Sequence, residues 1–348
     1  MGVCRAPENP IVRPEDVKPS RDDFEVIGAF NAGVTRLRDE VILLLRVAEK
    51  PLAGGADMVL SPIYDVEAGE IILKSFARDD PKNDFSDPRL IIRPQETYLT
   101  SISHLRLARS RDGIRFRIAD TPALGPANEY ETFGIEDPRI TSIDGMFYID
   151  YVGVSPLGVT TCLASTRDFQ TFERHGVIFH PDNKDVVIFP ARVAGRYYAL
   201  HRPHSSLFVR NDVWLAESPD LLGWGDHRHL LGTRDGRWDE LRIGAGAVPV
   251  RIDEGWLEVY HGADRNNRYC LGAVLLDAEH PWKVLARSDR PLFEPQTDYE
   301  RAGFFGNAVF TCGLLLEDKR LKLYYGAADT SLCYAEIPLP DVYKNLAL

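Results

Sequence analysis

The stretch Ala164–Phe172, ASTRDFQTF, decides how this chain folds, because its pattern recurs along the sequence. A small residue, then Ser or Thr, then Asp and an aromatic residue appear in the same order at Ala108–Phe116, ARSRDGIRF, and at Ala216–Trp224, AESPDLLGW. Looser copies begin at Ala273 and Ala335, so the five starts lie 56, 52, 57 and 62 residues apart. Each copy reads as a strand, a Ser-x-Asp turn and an outer strand that carries an aromatic residue. A period of about 50 residues with several strands per unit is typical of β-propeller blades.

The rest of the sequence also reads as β-structure. Short apolar or aromatic runs recur, and several follow turn signals such as Asp144-Gly145. Only Glu15–Asp22, which Pro19 interrupts, and Leu339–Leu348 are candidate helices. We therefore predict an all-β fold, a five-bladed β-propeller that forms one domain over residues 1–348 with an N-terminal extension of about residues 1–24. An irregular β-sandwich, or two small β domains, is the alternative.

The composition limits the class of protein. The 348 residues are 44% hydrophobic and 27% charged, which excludes a disordered or fibrous chain. The formal net charge of -11 disfavours nucleic acid and anionic membranes as partners, so an anion site would need a local cluster of cations. The start of the chain shows no signal-peptide core and no apolar run is long enough to span a membrane. Five scattered cysteines without metal-ligand spacing indicate buried thiols, and we predict a cytoplasmic protein.

Charged islands lie in joints between the apolar strands. A propeller directs the starts of its inner strands to one central channel, so polar residues there converge on one pocket. The islands are GIEDPR at 134–139, NKD at 183–185, HRP at 201–203, RIGAG at 242–246 and YHG at 260–262. Each alone fits a capped turn or a solvated charge. Several cations in one funnel would instead make an anion site suited to phosphate.

Taken in order, these motifs resemble one known family. They are FNAG at 30–33, ARSRDG at 108–113, GIEDPR at 134–139, NKD at 183–185, HRP at 201–203, RIGAG at 242–246, GWL and YHG within 255–262, GN at 306–307 and YYGAAD at 324–329. This set, from Asn9 to Pro338, is similar to glycoside hydrolase family 130, which comprises β-mannoside phosphorylases and β-1,2-mannosidases. The family fold is a five-bladed β-propeller, in agreement with the repeat.

The resemblance implies an inverting β-mannoside phosphorylase, a glycosyltransferase-type enzyme that cleaves β-mannosyl disaccharides or oligosaccharides with inorganic phosphate to give α-mannose 1-phosphate. It makes Asp137 the general acid, with the proton passing through a hydroxyl of the bound mannose. The phosphate ligands it implies are Lys184, Arg202, Arg242 and His261. Lys184 and Arg242 depart from the commonest pattern, in which Arg and Lys respectively occupy these positions, so the affinity for phosphate stays open.

For the sugar, the resemblance implies contacts from short polar side chains and faces from tyrosines. The predicted contacts are Asn31, Arg111, Asp329 and Asn307, and the predicted faces are Tyr151 and Tyr325. Packing in a blade core is an equal alternative for the two tyrosines. No metal or organic cofactor is expected, since phosphate serves as co-substrate.

Two other functions stay open. A β-mannoside hydrolase of the same family would need a second carboxylate as base, for which Glu240 and Glu258 are the candidates. A non-catalytic propeller that binds carbohydrate or protein would need no acid at all. The sequence leaves open the linkage, the acceptor sugar and whether the chain forms a homo-oligomer.

Overall fold

The computed structural model describes residues 2–52, 54–204 and 210–348, and the described chain is built mainly of antiparallel strands. The first part comprises β1 (Cys4–Arg5), a 3₁₀ turn (Pro14–Asp16), β2 (Phe24–Leu37), β3 (Glu40–Pro51), β4 (Met58–Asp65), β5 (Glu70–Ala77), β6 (Leu90–Ile92), β7 (Thr97–Leu99), β8 (Ile102–Ser110) and β9 (Arg117–Ile118). Strands β2, β3, β8 and β9 pair in that order, while β4 pairs with β5 and β6 with β7 as two separate hairpins. The hairpins are therefore an insertion between β3 and β8.

Two four-stranded sheets follow, each with its strands in chain order. The first contains β10 (Ile135–Ile143), β11 (Met146–Ser155), β12 (Gly158–Thr166) and β13 (Glu173–Phe179). The second contains β14 (Asn183–Ile188), β15 (Tyr197–Pro203), β16 (Val213–Ser218) and β17 (Gly225–Leu231).

The last part of the chain forms one five-stranded sheet and then returns to the first sheet. Its elements are β18 (Arg242–Gly244), β19 (Val250–Ile252), β20 (Gly255–Ala263), β21 (Tyr269–Leu276), β22 (Val284–Arg287), α1 (Asp298–Arg301), β23 (Val309–Glu317), β24 (Arg320–Ala327), β25 (Ser331–Pro338) and α2 (Leu339–Leu346). Strands β23, β24 and β25 join β2 through a single parallel pair, Ala29 with Ser331, and β1 pairs with β25. The N-terminal and C-terminal parts of the chain thus share one eight-stranded sheet.

The Ser-x-Asp turns lie where the repeat predicts them, between the third and fourth strand of successive sheets. In the third copy, Ser218 Oγ accepts a hydrogen bond from the backbone N–H of Leu221 at 2.9 Å, and Asp220 Oδ1 accepts two more from the following residues. The first and second copies have the same arrangement around Asp112 and Asp168. The aromatic residue of each copy directly precedes the outer strand.

The core consists of apolar clusters, four of which draw on two sheets, while a fifth joins the two halves of the eight-stranded sheet. Ile42 of β3 packs in one cluster with Ile149 of β11, and Leu163 of β12 in another with Ala199 of β15. Further clusters join Leu200 to Tyr260, Val259 to Leu323, and Leu43 to Tyr324. Successive sheets therefore pack against each other, and the strands nearest both ends of the chain share a cluster.

The helix predictions had two outcomes. Leu339–Leu348 is confirmed in the main, as α2 covers Leu339–Leu346. Glu15–Asp22 is wrong: only the 3₁₀ turn at Pro14–Asp16 forms there, because Pro19 cannot continue a helix. In the described residues no helix is long and apolar enough to cross a membrane.

Candidate active site

A cavity of about 500 Å³ lies where the first two strands of several sheets meet. Its polar and charged lining residues are Asn31, Arg46, Arg89, Ser101, Glu136, Asp137, Lys184, Asp185, Arg202, Arg242, His261, Asn267 and Asp329. Its apolar and aromatic lining includes Ile27, Phe30, Ala48, Leu90, Leu99, Tyr269, Phe304, Phe305, Ala308 and Phe310. The residues thus converge from separate sheets, as expected for inner strands around a common centre.

The Glu-Asp-Pro-Arg motif lies in β10 and interrupts its pairing with β11. The register shifts between Glu136 and Arg139, and Asp137 adopts a left-handed backbone with φ of 47°. Asn31, also left-handed, donates through Nδ2 to Asp137 Oδ1 at 2.9 Å. Arg46 forks between the two carboxylates, with Nη1 2.9 Å from Asp137 Oδ1 and Nη2 2.7 Å from Glu136 Oε1. The Asp137 carboxyl is thereby held by two donors.

These donors control the charge of Asp137. Burial alone would raise the pKa of Asp137, but the guanidiniums of Arg46 and Arg139 and the hydrogen bond from Asn31 outweigh burial and hold that pKa below its ordinary value. Asp137 is therefore ionised in the ligand-free protein at neutral pH.

A second carboxyl in the cavity behaves in the opposite way. Burial raises the pKa of Asp329 to about 6, a rise that the charge of Arg46 opposes and that of Asp137 increases. Asp329 follows β24 in a left-handed turn, φ 50°, which directs the chain back into β25. The cavity thus holds two carboxyls with pKa values moved apart, a pattern typical of sites that bind substrate or transfer protons.

The four predicted phosphate ligands all line this cavity. Lys184 and Arg202 face each other as paired residues of β14 and β15. Arg242 and His261 belong to β18 and β20, and Arg242 lies over the ring of Tyr269 at 5.6 Å from its centroid. The structure therefore brings together the cations that the sequence places far apart.

A carboxylate lies inside this group of cations. Asp185 Oδ2 is 2.7 Å from Arg202 Nε and 3.2 Å from His261 Nε2, and its Oδ1 is 3.7 Å from Arg139 Nη2. Burial alone would raise the pKa of Asp185, but Arg202 and His261 hold it well below the ordinary value. Burial lowers the pKa of His261, and Asp185 offsets this only in part. His261 Nδ1 and Arg242 Nε have no hydrogen-bond partner among the described residues.

Arg139 connects the acid to the cations from beneath the cavity. It is 1% exposed, and its Nη1 donates to the backbone oxygen of Asp137 at 3.0 Å. Its Nε and Nη2 donate to the backbone oxygens of Gly246 and Ala245, which follow β18. One buried guanidinium therefore fixes three strands that carry site residues.

Four predicted sugar residues lie outside the set of described residues that line the cavity. Arg111 is in the first Ser-x-Asp turn, with its side chain 83% exposed and 3.8 Å from Asp39. Asn307 is exposed, and its backbone accepts from the N–H of Tyr269. Tyr151 and Tyr325 are buried in blade-like cores, where their hydroxyls donate to Glu131 and Glu300 respectively. The structure therefore does not bring these four residues into the cavity, and the repeated motif Ala108–Gly113 is explained by its turn geometry alone.

Sequence reasoning also missed several lining residues. Arg46 directly follows the apolar run Val41–Leu45, the same signal that identified His201-Arg202, and it should have been found. Asp185 directly follows Lys184 in the NKD motif at 183–185, from which only the cation was predicted to line the site. Leu90 begins β6 of the inserted hairpins and Arg89 directly precedes it, and no local pattern marks either residue.

The two candidate bases for a hydrolase do not line the cavity. Glu258 is completely buried, with Oε1 accepting from the N–H of Gly246. Glu240 accepts from the N–H of Gly236 and pairs with Arg265. In residues 2–52, 54–204 and 210–348, no group of three or more His, Cys, Asp or Glu side chains has a metal-binding arrangement.

Comparisons with known proteins agree on one family. The glycoside hydrolase 130 model, described as beta-1,4-mannooligosaccharide phosphorylase, matches residues 88–347. A beta-1,2-mannobiose phosphorylase from Listeria innocua is 48% identical over 350 residues, covering 99% of this chain and 99% of the relative. A 1,2-beta-oligomannan phosphorylase from Thermoanaerobacter sp. is 40% identical over 254 residues, which cover 72% of this chain and 84% of the relative.

Solved structures give the same result. The Listeria innocua enzyme in complex with beta-1,2-mannobiose superposes with a TM-score of 0.97 over 100% of this chain and 99% of that one, at 48% identity. A structure described as a GH130 glycoside hydrolase that targets beta-1,2-mannosidic linkages in Candida mannan has a TM-score of 0.74 at 22% identity, over 97% of this chain and 94% of that one. At that identity the second likeness concerns the fold alone.

Proposed function

This chain belongs to the glycoside hydrolase 130 family, and from that premise we propose that it is an inverting β-mannoside phosphorylase that acts on β-1,2-mannobiose. Phosphate attacks the anomeric carbon, the bond from that carbon to the glycosidic oxygen breaks, and the departing mannose takes up a proton. The products are α-mannose 1-phosphate and mannose. The β-1,2 linkage is inferred from the Listeria innocua relative, which is 48% identical over the whole chain.

One observation carries the proposal: a single cavity holds the Asp137 carboxyl together with four cationic or potentially cationic side chains. An inverting hydrolase needs a second carboxylate to activate water, whereas phosphate is already an anionic nucleophile and needs only cations to bind and orient it. Lys184, Arg202, Arg242 and His261 are proposed to bind phosphate. The hydrolase alternative loses both of its predicted bases, because Glu240 and Glu258 lie elsewhere. Two other carboxylates in the cavity, Glu136 and Asp185, are each paired with an arginine.

Asp137 is proposed as the general acid, acting through a hydroxyl of the bound mannose. Its lowered pKa in the ligand-free protein means that a proton must be gained when the substrates bind. A phosphate anion at the neighbouring cations would offset their charge and raise the pKa of Asp137. Proton uptake would therefore accompany phosphate binding, so that the Asp137 carboxyl is protonated only in the productive complex.

Asn31 and Asp329 are proposed to bind the mannose that is transferred. Both line the cavity, and each can engage two sugar hydroxyls. Arg111, Asn307, Tyr151 and Tyr325 do not line the cavity, and no sugar contact is proposed for them. The reaction is proposed to need no metal or organic cofactor, and activity should survive treatment with a chelator.

For the architecture, we propose a single domain of five blades. Counting the two halves of the eight-stranded sheet separately gives five antiparallel units, with the β4–β5 and β6–β7 hairpins outside them. The apolar clusters support this, because each joins one unit to the next and one joins the first unit to the last. The pairing of β1 with β25 would then close the ring.

The term glycosyltransferase-type describes only the transfer of mannose to phosphate, as the family is one of glycoside hydrolases. We propose that this transfer takes place in the cytoplasm, because a charged sugar phosphate is retained there and conserves the energy of the bond. Four of the five cysteines are buried and all are free thiols, which suits a reducing compartment.

The test is to incubate the protein with β-1,2-mannobiose with and without phosphate, and to measure mannose and mannose 1-phosphate. We expect cleavage only with phosphate, equal amounts of the two products, and slower turnover of the β-1,4 isomer. Equal release of mannose without phosphate, with no mannose 1-phosphate, would establish a hydrolase instead. Asp137→Asn should lose nearly all turnover, whereas Asp120→Asn, an exposed carboxylate that does not line the cavity, should keep it. A non-catalytic propeller would show no turnover even in the wild type, and Asp137→Asn would leave its carbohydrate binding unchanged.

A further inference from the structure

Asp185 poses a problem that the proposed function does not solve. Its carboxylate is 2% exposed and lies among the side chains proposed to bind an anion. A fixed negative charge in that position repels phosphate, and Asp185 is held ionised. A phosphate site that contains a carboxylate must gain from it an interaction with the other ligands that outweighs the repulsion.

The first gain concerns Arg202. Asp185 Oδ2 accepts from Arg202 Nε at 2.7 Å, and Asn211 Oδ1 is 3.5 Å from Nη1. With Nε taken, an anion in the cavity can be bound only through the two Nη nitrogens. Such an orientation presents a fixed pair of donors to two phosphate oxygens, which a freely rotating side chain does not.

The second gain concerns His261. Its Nε2 lies 3.2 Å from the same Oδ2, so the proton of the neutral imidazole is kept on Nε2 and Nδ1 is left to accept a hydrogen bond from the P–OH group of hydrogen phosphate. The ring also lies close to two aromatic rings, Phe310 at 4.5 Å and Tyr269 at 6.1 Å between centroids. Asp185 therefore determines both the orientation and the tautomer of His261.

The backbone leaves little freedom in this arrangement. A Cβ atom at Gly244 would lie 2.2 Å from Asp185 Oδ2 and 2.5 Å from His261 Cε1, so only glycine fits there. Asp185 itself adopts a left-handed backbone, φ 54°, at a register shift in β14. The carboxylate is thus confined at one point between two ligands.

We propose that Asp185 is a positioning residue for the phosphate subsite, which aligns Arg202 and His261 although its charge opposes the anion. The inference rests on phosphate being the co-substrate. Charge and alignment predict opposite results when the carboxylate becomes an amide. Loss of charge alone would lower the KM for phosphate, while loss of alignment would raise it.

The experiment measures KM for phosphate and KM for β-1,2-mannobiose separately in the wild type and in Asp185→Asn. We expect the KM for phosphate to rise about tenfold or more, as for loss of one member of a buried charge pair, and the KM for mannobiose to change less than about twofold. A merely destabilised protein would lose active fraction and hence kcat, without separating the two KM values. The matched control is Asp239→Asn, a buried carboxylate with two arginine partners, Arg234 and Arg287, that do not line the cavity.

Gly244→Ala provides a second variant, which keeps the charge but displaces the carboxylate and the imidazole. It should raise the KM for phosphate without a comparable rise in the KM for β-1,2-mannobiose. If the Asp185 variant does not fold, this variant tests the inference in its place. An unchanged or lowered KM for phosphate in whichever of these variants folds would overturn the inference while leaving the phosphorylase intact. Phosphate-independent cleavage by the wild type would overturn the proposed function, and this inference with it.

Discussion

At the scale of single residues, the most unusual groups are two buried carboxyls, Asp150 and Glu258, on which the charge of Arg139 acts. Asp150 in β11 is 1% exposed, and its Oδ1 has no hydrogen-bond partner among the described residues. Burial raises the pKa of Asp150 to about 8, an increase that Arg139 only partly opposes. Glu258, also buried, has its pKa raised well above the ordinary value for the same reason. Both carboxyls are therefore mainly protonated at neutral pH, and Arg139 is balanced by Asp137 and Asp185 instead.

Asp150→Asn should consequently become more stable relative to the wild type as the pH rises. The folded pKa of about 8 lies above the ordinary 3.8, so protonated Asp150 stabilises the fold fully below about pH 4 and this contribution is lost by about pH 8. The difference in free energy of unfolding should grow by up to about 1.4 kcal/mol per pH unit between those values and level off above them. Urea unfolding at pH 5, 6, 7, 8 and 9 measures this, with Asp120→Asn as the exposed control. A pH-independent difference would mean that Asp150 is ionised in the folded protein.

The residues of the cavity show which parts of the site can be predicted from a single sequence. The EDPR carboxylate and the four cations were predicted because a motif or a charge next to an apolar strand marks them. Arg111 and Tyr325 lie outside the cavity, which the sequence could not show, because it gives no direction for a side chain and a turn or a core uses the same residue types. Asp185 was overlooked because its function depends on neighbours 17 and 76 residues further along the chain, Arg202 and His261.

At the scale of elements, the Ser-x-Asp turn is the feature the sequence predicts best, because all of its hydrogen bonds are local. Its Ser is as buried as a core residue: Ser218 has 0% exposure, accepts from the N–H groups of Asp220 and Leu221, and donates to the Asp220 carboxylate. The turn orients the outer strand and the aromatic Trp224 that precedes it. The hairpins β4–β5 and β6–β7 interrupt this repeat, and for that reason it could not predict them.

Ser218→Ala should destabilise the protein by about 1–2 kcal/mol, since buried N–H groups lose their acceptor. The exposed Ser75→Ala in β5 should change stability by less than about 0.5 kcal/mol. Urea titration of both variants gives the comparison. Equal stability of the two would show that water replaces the hydroxyl and that the turn does not depend on it.

A second element-scale prediction concerns the joint between β1 and α1. Arg5 Nε is 2.7 Å from the buried Glu300, which also accepts from the hydroxyl of Tyr325 at 2.8 Å. Arg5→Met leaves a buried carboxylate without its cation and should cost about 3–5 kcal/mol. Adding Glu300→Gln should recover part of that loss, because the amide keeps an acceptor for Tyr325 and removes the unpaired charge. A double variant less stable than Arg5→Met would contradict this account.

At the scale of the whole molecule, the repeat predicts units but contains no information on how the ends meet. The closing contacts are non-local: β1 pairs with β25, and Val12 pairs with Leu332 through the backbone. Asn9 adds two hydrogen bonds to the backbone of Tyr334. The extension expected at about residues 1–24 thus pairs with β25 of the eight-stranded sheet through β1 and Val12, a function that its weak local pattern could not predict.

Deleting residues 2–12 therefore tests the proposed ring directly. It exposes β25 as an unpaired edge and uncovers the cluster that joins the units nearest the two ends of the chain. If the five units form one closed domain, the whole protein should melt in a single transition at least about 10 °C lower, because no unit has a complete core without its neighbours. Deleting residues 347–348 beyond α2 is the control and should shift the melting temperature by only a degree or two, as the exposed end of the chain contributes few contacts. Two separate transitions would contradict this, as would a loss of structure confined to β23, β24 and β25 while the rest melts at the wild-type temperature. Either result would show that the units fold independently and that β1 is a local addition to one of them.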